Sequence, residues 1–228
     1  MRRWIAAAAV VLLFGAGMPA QAHERFFTRT YDWFTPSQGE KELELWWTQK
    51  DGGEADAQIE FEYGVTSRYV LAPYLLMKRE HGGDFAVEGW KLEQRYRFGE
   101  YGRHRFMPAL YLEVKKENHA SFELEGKIIT TYLFGDRWIW SSNLIAESAV
   151  DGPSKVELGY ATGISHPVTP RLGAGLELFG NWTEHEHFFG PTLTYQVGRG
   201  TKVLLNAGFR YDGGEGGSVR LMFEKEWR

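Results

Sequence analysis

The residues of this sequence with the clearest chemistry are two histidines that alternate with two glutamates. They stand in "NWTEHEHFF", residues 181–189, as Glu184, His185, Glu186 and His187. Imidazole and carboxylate groups are ligands for zinc and copper, and alternate side chains of an extended segment project to the same side. The pattern indicates either a metal site shared by these four residues or a solvated acidic loop.

A further candidate metal ligand, His23, follows a predicted signal peptide. Residues 1–22, "MRRWIAAAAVVLLFGAGMPAQA", have two arginines, a short apolar run and a small-x-small ending, which is typical of a cleaved secretory signal. Cleavage there leaves His23 at the N-terminus, where its amine and imidazole could chelate copper. A retained anchor is the alternative, although the apolar run is short for a spanning helix.

The candidates for catalysis are His119 and Ser121, which stand at an expected hairpin tip. A serine and a histidine near the rim of a barrel could hydrolyse lipid or lipopolysaccharide if an orienting group completed the site. Ser141, Ser142 and Asn143 have no histidine near them in the expected register. The glycine-rich "DGGEGG" is acidic and joins two strands, so no phosphate-binding loop and no cofactor are expected. Catalysis is therefore an alternative to a non-enzymatic function.

Composition excludes several other classes of function. The chain has 228 residues, a net charge of −4 and no cysteine, which removes thiol chemistry and Cys-based metal sites. It has no cluster of Lys and Arg, so nucleic acid is not an expected partner. Aromatic residues make up 15% and include nine Trp, which is high for a soluble domain of this size.

Segments of alternating polarity must position these residues. From residue 40 onward such segments are separated by Gly-, Pro- and Asp-rich turns, and no helical period is sustained. The predicted strands are Glu40–Lys50, Ala57–Gly64, Tyr69–Arg79, Phe85–Phe98, Arg105–Glu117, Ser121–Phe134, Trp138–Ala149, Lys155–Ile164, Arg171–Gly180, Phe188–Val197, Lys202–Tyr211 and Ser218–Trp227.

One face of these strands is charged and the other is apolar. In "SFELEGKIITTYLFGD", residues 121–136, Glu123, Glu125 and Lys127 alternate with Leu124 and Ile128. In a membrane barrel the charged face lines the lumen, whereas in a soluble lipocalin-like cup the apolar face points inward. The residues expected to line the lumen are Glu42, Glu44, Glu60, Glu62, Glu113, Lys115, Glu123, Glu125, Lys127, Glu147, Glu157, Glu177, Arg210 and Arg220.

Two features favour the membrane barrel over the cup. Ten residues at about 3.3 Å each, tilted by about 40°, cover close to the roughly 25 Å apolar band of outer-membrane barrels. Aromatic residues gather at strand ends, where the amphipathic rings of Trp and Tyr suit a membrane interface.

The stretch "EFEYGVTSRYVLAPYLL", residues 60–76, resembles bacterial outer-membrane β-barrels. It is similar in particular to a transporter-like group that includes phenol meta-pathway-type proteins. The matching residues of the strand–turn–strand unit are Glu62, Tyr63, Gly64, Val65, Thr66 and Arg68, while Ser67 stands where the group usually has Asp. The last strand, "SVRLMFEKEWR", resembles the aromatic-ended final strand of such barrels, although Arg228 follows Trp227.

The resulting prediction is a closed, up-and-down antiparallel transmembrane β-barrel of about twelve strands over residues 40–228, preceded by a periplasmic segment, 23–39. The resemblance implies the outer membrane of a Gram-negative bacterium and a porin-like transport function. The expected function is passive passage or uptake of small solutes through a narrow charged lumen, with a mild cation preference from the excess of Glu. The alternatives are a rim-site hydrolase and a non-conducting scaffold or metal-handling barrel. Expected partners are outer-membrane lipid, a small solute, and either a periplasmic protein or further copies of the chain.

Overall fold

The computed structural model describes residues 25–135, 137–150 and 155–228. The predicted signal peptide and His23 lie outside these residues. The described chain contains twelve strands, which are Lys41–Lys50 (β1), Ala55–Gly64 (β2), Tyr69–Arg79 (β3), Ala86–Arg97 (β4), Phe106–Glu117 (β5), Phe122–Phe134 (β6), Trp138–Ala149 (β7), Glu157–Pro167 (β8), Leu172–Asn181 (β9), Glu186–Gly198 (β10), Thr201–Arg210 (β11) and Gly217–Trp227 (β12).

Each strand pairs antiparallel with the next strand of the chain, and β12 returns to β1. The closing pair runs in register from Lys41 opposite Trp227 to Lys50 opposite Ser218. Closure leaves no unpaired sheet edge, because every strand has two neighbours. The predicted twelve-stranded, up-and-down antiparallel barrel is confirmed.

The barrel wall places its charged side chains mainly inside and most of its aliphatic side chains outside, apart from an inner apolar cluster that includes Met107, Ile129 and Leu204. In β1, Glu42 and Glu44 are fully buried, while Leu45 is 41% exposed. In β6, Lys127 is buried and Ile128 is 54% exposed. A lipocalin-like cup would have the reverse arrangement, so the sidedness of these strands rules out that alternative.

Exposed aromatic side chains form two belts around the exterior. Near the end of the barrel where β1 begins and β12 ends (the terminal end), Phe134 stacks on Trp138 with ring centroids 6.3 Å apart. Near the opposite, distal end, Tyr160 stacks on Trp182 at 4.9 Å. Paired aromatic belts on either side of an aliphatic band are typical of outer-membrane barrels.

The connections between strands are short at both ends. The distal connections are 51–54, 80–85, 118–121, 150–156, 182–185 and 211–216, and the terminal ones are 65–68, 98–105, 135–137, 168–171 and 199–200. The expected distal loop 181–187 is shorter than predicted because Glu186 already pairs with Asn181. Helical structure in the described chain is one 3-10 turn, Asp51–Gly53. No helix among the described residues is long and apolar enough to cross a membrane.

The N-terminal segment runs inside the barrel. Residues 25–36, here called the plug, include Phe27, Thr28 and Thr30 with no exposed surface and Trp33 with 3%. The chain leaves the lumen at residues 37–40, where the amide of Gly39 donates to the carbonyl of Gly64 at 2.8 Å. The plug belongs to the expected periplasmic segment 23–39, and its described residues 25–36 lie inside the barrel. Many of its buried backbone groups and the Arg25 side chain find partners on the inward face of the wall.

Candidate functional site: the plugged barrel interior

The strand register brings glutamates into direct opposition on the inner wall. Glu42 lies opposite Glu62 and Glu226, and Glu44 lies opposite Glu60 and Glu224. Like charges directly across a sheet destabilise it, and buried carboxylates need compensation. This acidic ladder (Glu42, Glu44, Glu60, Glu62, Glu224 and Glu226) therefore requires cations from other parts of the chain.

Three cations, from the plug and from two other strands, offset part of this charge. Arg25 of the plug donates through Nη1 to both carboxylate oxygens of Glu44, at 2.7 and 2.9 Å. Arg95 of β4 pairs with Glu62, and Lys202 of β11 lies 3.4 Å from Glu224. The plug is thus part of the charge balance of the wall, because without Arg25 the buried Glu44 would lose its ion-pair partner.

Tyr31 is the centre of the plug. Its hydroxyl donates to Glu93 of β4 at 3.1 Å. Its ring packs edge-on against Tyr111 with centroids 5.0 Å apart, and the Lys127 ammonium lies 4.2 Å from its centroid. Cations over a desolvated aromatic ring are stabilised by its electron-rich face. Tyr31 therefore links the plug to β4, β5 and β6.

Glu177 on β9 holds the plug backbone through a small anion-binding nest. The amides of Thr28, Arg29 and Thr30 donate to its carboxylate at 3.0, 2.8 and 2.8 Å. Successive backbone N–H groups that converge on one anion are a common device for binding it. Glu177, which was expected to line a narrow lumen, is therefore an anchor for the plug.

Two polar side chains on β6 and β7 complete the anchoring. Asn143 accepts the amide of Tyr31 at 2.7 Å and donates to its carbonyl at 2.8 Å. Thr131 accepts the amide of Trp33 at 2.9 Å. These contacts satisfy backbone groups that would otherwise be buried without partners.

A glycine in the wall makes room for the plug at Phe27. A Cβ at Gly163 of β8 would lie 2.6 Å from the Phe27 ring. Because real Cβ atoms do not approach carbon that closely, the ring can occupy this position only against a glycine. This close packing fixes the N-terminal part of the plug against β8.

The plug separates two open spaces in the barrel. A cavity of about 610 Å³ opens at the terminal end, where Trp33, Arg97, Tyr101 and Arg171 line it. A cavity of about 420 Å³ opens toward the distal end, lined by Lys91, Glu113 and Lys115 among others. Tyr31 borders the distal cavity and Arg25 the terminal one, so the plug is the partition between them.

The residues expected to line the lumen all occupy inward-facing positions. Glu42, Glu44, Glu60, Glu62, Glu113, Lys127 and Glu177 are buried, and Lys115, Glu123, Glu125, Glu147, Glu157, Arg210 and Arg220 are half-buried. The single ammonium of Lys115 forms ion pairs with Glu123, Glu147 and Glu117, so charges of both signs pair across the interior. The glutamates are in excess mainly in the acidic ladder, whereas cations outnumber acids in the linings of both cavities.

Sequence reasoning missed several inward-facing charged residues, among them Lys91, Glu93, Arg95, Lys202, Glu224 and Glu226. In "KLEQRYRF" of β4 the charges share one parity, so alternation could have placed Lys91, Glu93 and Arg95 on the inner face. In "FEKEW" of β12 charges occupy both parities, so parity did not separate them. The pairing register adds which charges meet, since it sets Glu93 opposite Glu113 and Glu224 opposite Lys202. The role of Asn143 as a plug anchor had no signal in the sequence.

The side chains of the His–Glu cluster at the distal end contact different partners and do not converge on one site. Glu184 pairs with Lys155 at 3.2 Å and Glu186 with Arg210 at 3.1 Å. His185 lies in the turn 182–185 with a left-handed backbone, so it does not share an extended segment with His187. The ring of His187 faces Tyr160, 3.3 Å from its hydroxyl. Among the described residues, the carboxylate groups that come close enough to share an ion belong to the acidic ladder.

The distal hairpin between β11 and β12 is held by Asp212. This carboxylate accepts Arg210 Nε at 2.7 Å and the amides of Gly214 and His187 at 2.9 and 2.7 Å. The hydrogen bond from Arg210, helped by the two amides, lowers the pKa of Asp212 from its ordinary 3.8 to about 2. The hairpin tip is therefore an acid-sensitive contact.

The candidate catalytic pair is not assembled in this structure. His119 lies in the β5–β6 turn with a left-handed backbone, and within the described chain no hydrogen bond joins it to Ser121. Ser141 instead hydrogen-bonds Thr131 at 2.9 Å on the inner wall. His23, the candidate copper ligand, lies outside the described residues.

Comparisons with known proteins match the chain to solved barrels. No protein-family model and no curated protein matches it. The KdgM porin in complex with disordered oligogalacturonate aligns at a TM-score of 0.64 and 10% identity, covering 82% of this chain and 99% of that one. A second KdgM porin structure aligns at 0.61 and 11%, with the same coverage. The comparisons do not confirm the narrower resemblance to phenol meta-pathway-type barrels. Combined with the sidedness of its wall, they show that the chain has the fold of an outer-membrane β-barrel.

Proposed function

We propose that this chain is an outer-membrane barrel that passes small solutes along its charged interior, and that the plug controls the passage. The even strand number puts both chain ends, and therefore the terminal cavity, on the periplasmic side. Outer-membrane lipid surrounds the aliphatic band between the aromatic belts. Membership of the transporter-like group, and assembly with a periplasmic protein or further copies, belong to the same proposal.

The observation that carries this proposal is the way the plug is held. Within the described residues, the plug backbone between Arg25 and Pro36 bonds to wall side chains such as Glu177, Asn143 and Thr131, and forms no ladder with a strand. Side-chain contacts can be exchanged for contacts with water or solute while all twelve strand pairings stay intact. A plug with this type of attachment can move without opening the barrel wall.

The two cavities supply the remainder of the passage. Each cavity reaches the plug from one end of the barrel. Displacement of the plug would therefore join the two cavities into one hydrated path between the ends. A twelve-stranded barrel is wider than the eight-stranded barrels that side chains fill and narrower than sixteen-stranded porins. The resulting path suits small solutes. At 10% identity the likeness to the KdgM porin shows the fold and does not carry its ligand over.

The test locks the plug with a disulfide. The chain has no cysteine, so a variant with Phe27→Cys and Gly163→Cys has only the two introduced thiols. These positions adjoin, since a Cβ at residue 163 would meet the native Phe27 ring. Conductance in planar bilayers should be lost when the pair is oxidised and should return when it is reduced.

The single variants Phe27→Cys and Gly163→Cys are the controls, and neither should respond to oxidant. Heat-modifiable gel mobility reports that each variant is folded. A cross-linked protein that conducts as well as its reduced form would exclude the plug as the control element. A folded, reduced protein without any conductance would exclude solute passage itself and favour a non-conducting scaffold.

A further inference from the structure

We infer that the terminal cavity is a binding site for a small carboxylate that also has an apolar ring face. This inference rests on the proposed function, because it names the class of solute that the passage would take up. Binding itself does not depend on transport. At about 610 Å³ the cavity falls within the range of small-molecule pockets.

The charge of the cavity lining points to an anion. The lining contains five cationic residues and two acidic ones, namely Arg25, Arg68, Arg97, Arg171 and Lys202 against Glu40 and Glu100. Both acids already have partners at the rim. Glu40 pairs with Arg228 at 2.8 Å, and Glu100 lies 3.7 Å from Arg68 and 3.6 Å from Arg103.

Two of the lining cations have no carboxylate partner among the described residues. Arg97 donates to backbone carbonyls instead, to Ser67 at 2.9 and 2.7 Å and to Thr35 at 3.2 Å. The Arg171 side chain lies exposed at the β8–β9 turn, without an ion pair in the described chain. Guanidinium groups recognise carboxylates through paired N–H donors, so these two arginines are the groups that select the ligand.

Aromatic side chains supply the apolar part of the site. The Arg97 guanidinium lies 4.7 Å from the ring centroid of Trp33, and Phe34 packs against Trp33 and Tyr101 at 5.7 and 5.6 Å. Tyr101 is 64% exposed, so part of this cluster faces open space. A ligand ring can stack on this surface while its carboxylate reaches the arginines.

The distal cavity provides a contrast within the same barrel. Its lining is also rich in charge, but its lysines are paired. Lys91 lies 2.9 Å from Glu113, Lys127 lies 2.9 Å from Glu125, and Lys50 lies 2.7 Å from Asp56. The two arginines of this lining, Arg29 and Arg220, bond to hydroxyl groups and a backbone carbonyl. Seven cations and six acids line the distal cavity, against five and two in the terminal one, so the large excess of cations over acids is a property of the terminal cavity. The mild cation preference expected from the count of glutamates does not describe this end of the path.

The ligand would also act on the plug, because Arg97 both lines the cavity and contacts the plug. Arg97 holds the plug through the Thr35 carbonyl and stacks on Trp33 of the same segment. A carboxylate that engages Arg97 competes with that carbonyl for the guanidinium. Binding and release of the plug are therefore coupled through this residue.

The experiment measures binding to the folded, detergent-solubilised protein by titration calorimetry. Glucuronate and benzoate are the carboxylate probes, and glucose and benzyl alcohol are their neutral counterparts. We expect at least one acid to bind roughly tenfold more tightly than its neutral partner, and Arg171→Gln to weaken that binding by at least about fivefold. Arg105→Gln, an exposed cation at the same end that does not line the cavity, should leave it unchanged.

The outcomes separate the possible ligands. Tighter binding of glucuronate supports a sugar acid, and tighter binding of benzoate supports an aromatic acid. Equal binding of acid and neutral partner, no binding by the wild type, or equal losses in Arg171→Gln and Arg105→Gln would each overturn the inference. If the protein binds one of the carboxylate probes but does not conduct, the binding site is supported and the proposal of solute passage is rejected.

Discussion

Asn143 holds the backbone of Tyr31 with both ends of its amide, accepting from the Tyr31 N–H at 2.7 Å and donating to the Tyr31 carbonyl at 2.8 Å. This pair joins the middle of the plug to β7 without a strand-to-strand bond. The plug therefore depends on individual side chains of the wall, and single substitutions can test it.

Replacement of Asn143 by leucine should free the plug before the barrel unfolds. The change leaves two buried backbone groups of Tyr31 without partners, at a cost of about 1–3 kcal/mol each. Trypsin should then cleave after Arg25 or Arg29 within an otherwise resistant barrel, as mass spectrometry of the fragments would show. Ser142→Ala, on the outward face of the same strand, is the control. Equal cleavage of both variants would mean that Asn143 is not an anchor.

Loss of Arg25 should destabilise the protein through Glu44. Breaking a buried ion pair by removing one partner typically costs about 3–5 kcal/mol, so Arg25→Met should lower the urea midpoint of unfolding in micelles. The double variant Arg25→Met with Glu44→Gln should recover a large part of the loss, since no buried charge is left unpaired. Lys155→Met removes an exposed pair with Glu184 and should cost no more than about 1 kcal/mol. Additive effects of the two core substitutions would contradict the pairing.

A methyl group at position 163 should displace Phe27. Gly163→Ala places a Cβ 2.6 Å from the Phe27 ring, and overpacking of this kind costs about 1–3 kcal/mol. Tryptic cleavage within the plug should rise, and Phe27→Leu in the same chain should reverse part of the increase. Gly126→Ala on β6 meets no atom within 4 Å and should behave as the wild type. If Gly163→Ala and Gly126→Ala were equally resistant to trypsin, close packing at Gly163 would not hold the plug.

Acid should open the distal hairpin tip. Because the pKa of Asp212 is lowered from 3.8 to about 2, its contribution to stability is present above about pH 4 and is lost as pH falls toward 2. Pepsin should cut beside Tyr211 faster at about pH 2.5 than at about pH 4.5, after correction with an unstructured peptide. Asp212→Asn should be cut readily at both values. If the variant and the wild type were cleaved alike at the higher pH, Asp212 would not hold the tip.

A charge on the exterior of the wall should oppose insertion into lipid. Ile128 lies in the middle of β6 and is 54% exposed, and an arginine at the bilayer midplane of a barrel costs about 2–4 kcal/mol. Ile128→Arg should reduce folding into lipid vesicles, measured by heat-modifiable gel mobility. Val150→Arg, in a distal connection, should have little effect. Equal folding of the two variants would argue against lipid at Ile128.

Much of the fold could be predicted because the strand pattern is local information. Alternation such as that of Glu123, Leu124 and Glu125 requires only a period of two, and the turns between strands have Gly, Pro and Asp where the backbone must reverse. The candidate site was less accessible to this reasoning. Parity could place Glu44 on the inner face, but only the register could show that Glu60 and Glu224 lie directly opposite it.

The sequence by itself determined twelve amphipathic strands, because side-chain period and turn chemistry are properties of neighbouring residues. Tertiary structure alone decided which charges meet and what fills the lumen. Thr28 and Glu177, or Tyr31 and Asn143, come together only when the closed wall surrounds the N-terminal segment. The physical reason is that a buried carboxylate must find a partner, and that partner can lie anywhere along the chain that closure brings within hydrogen-bonding distance.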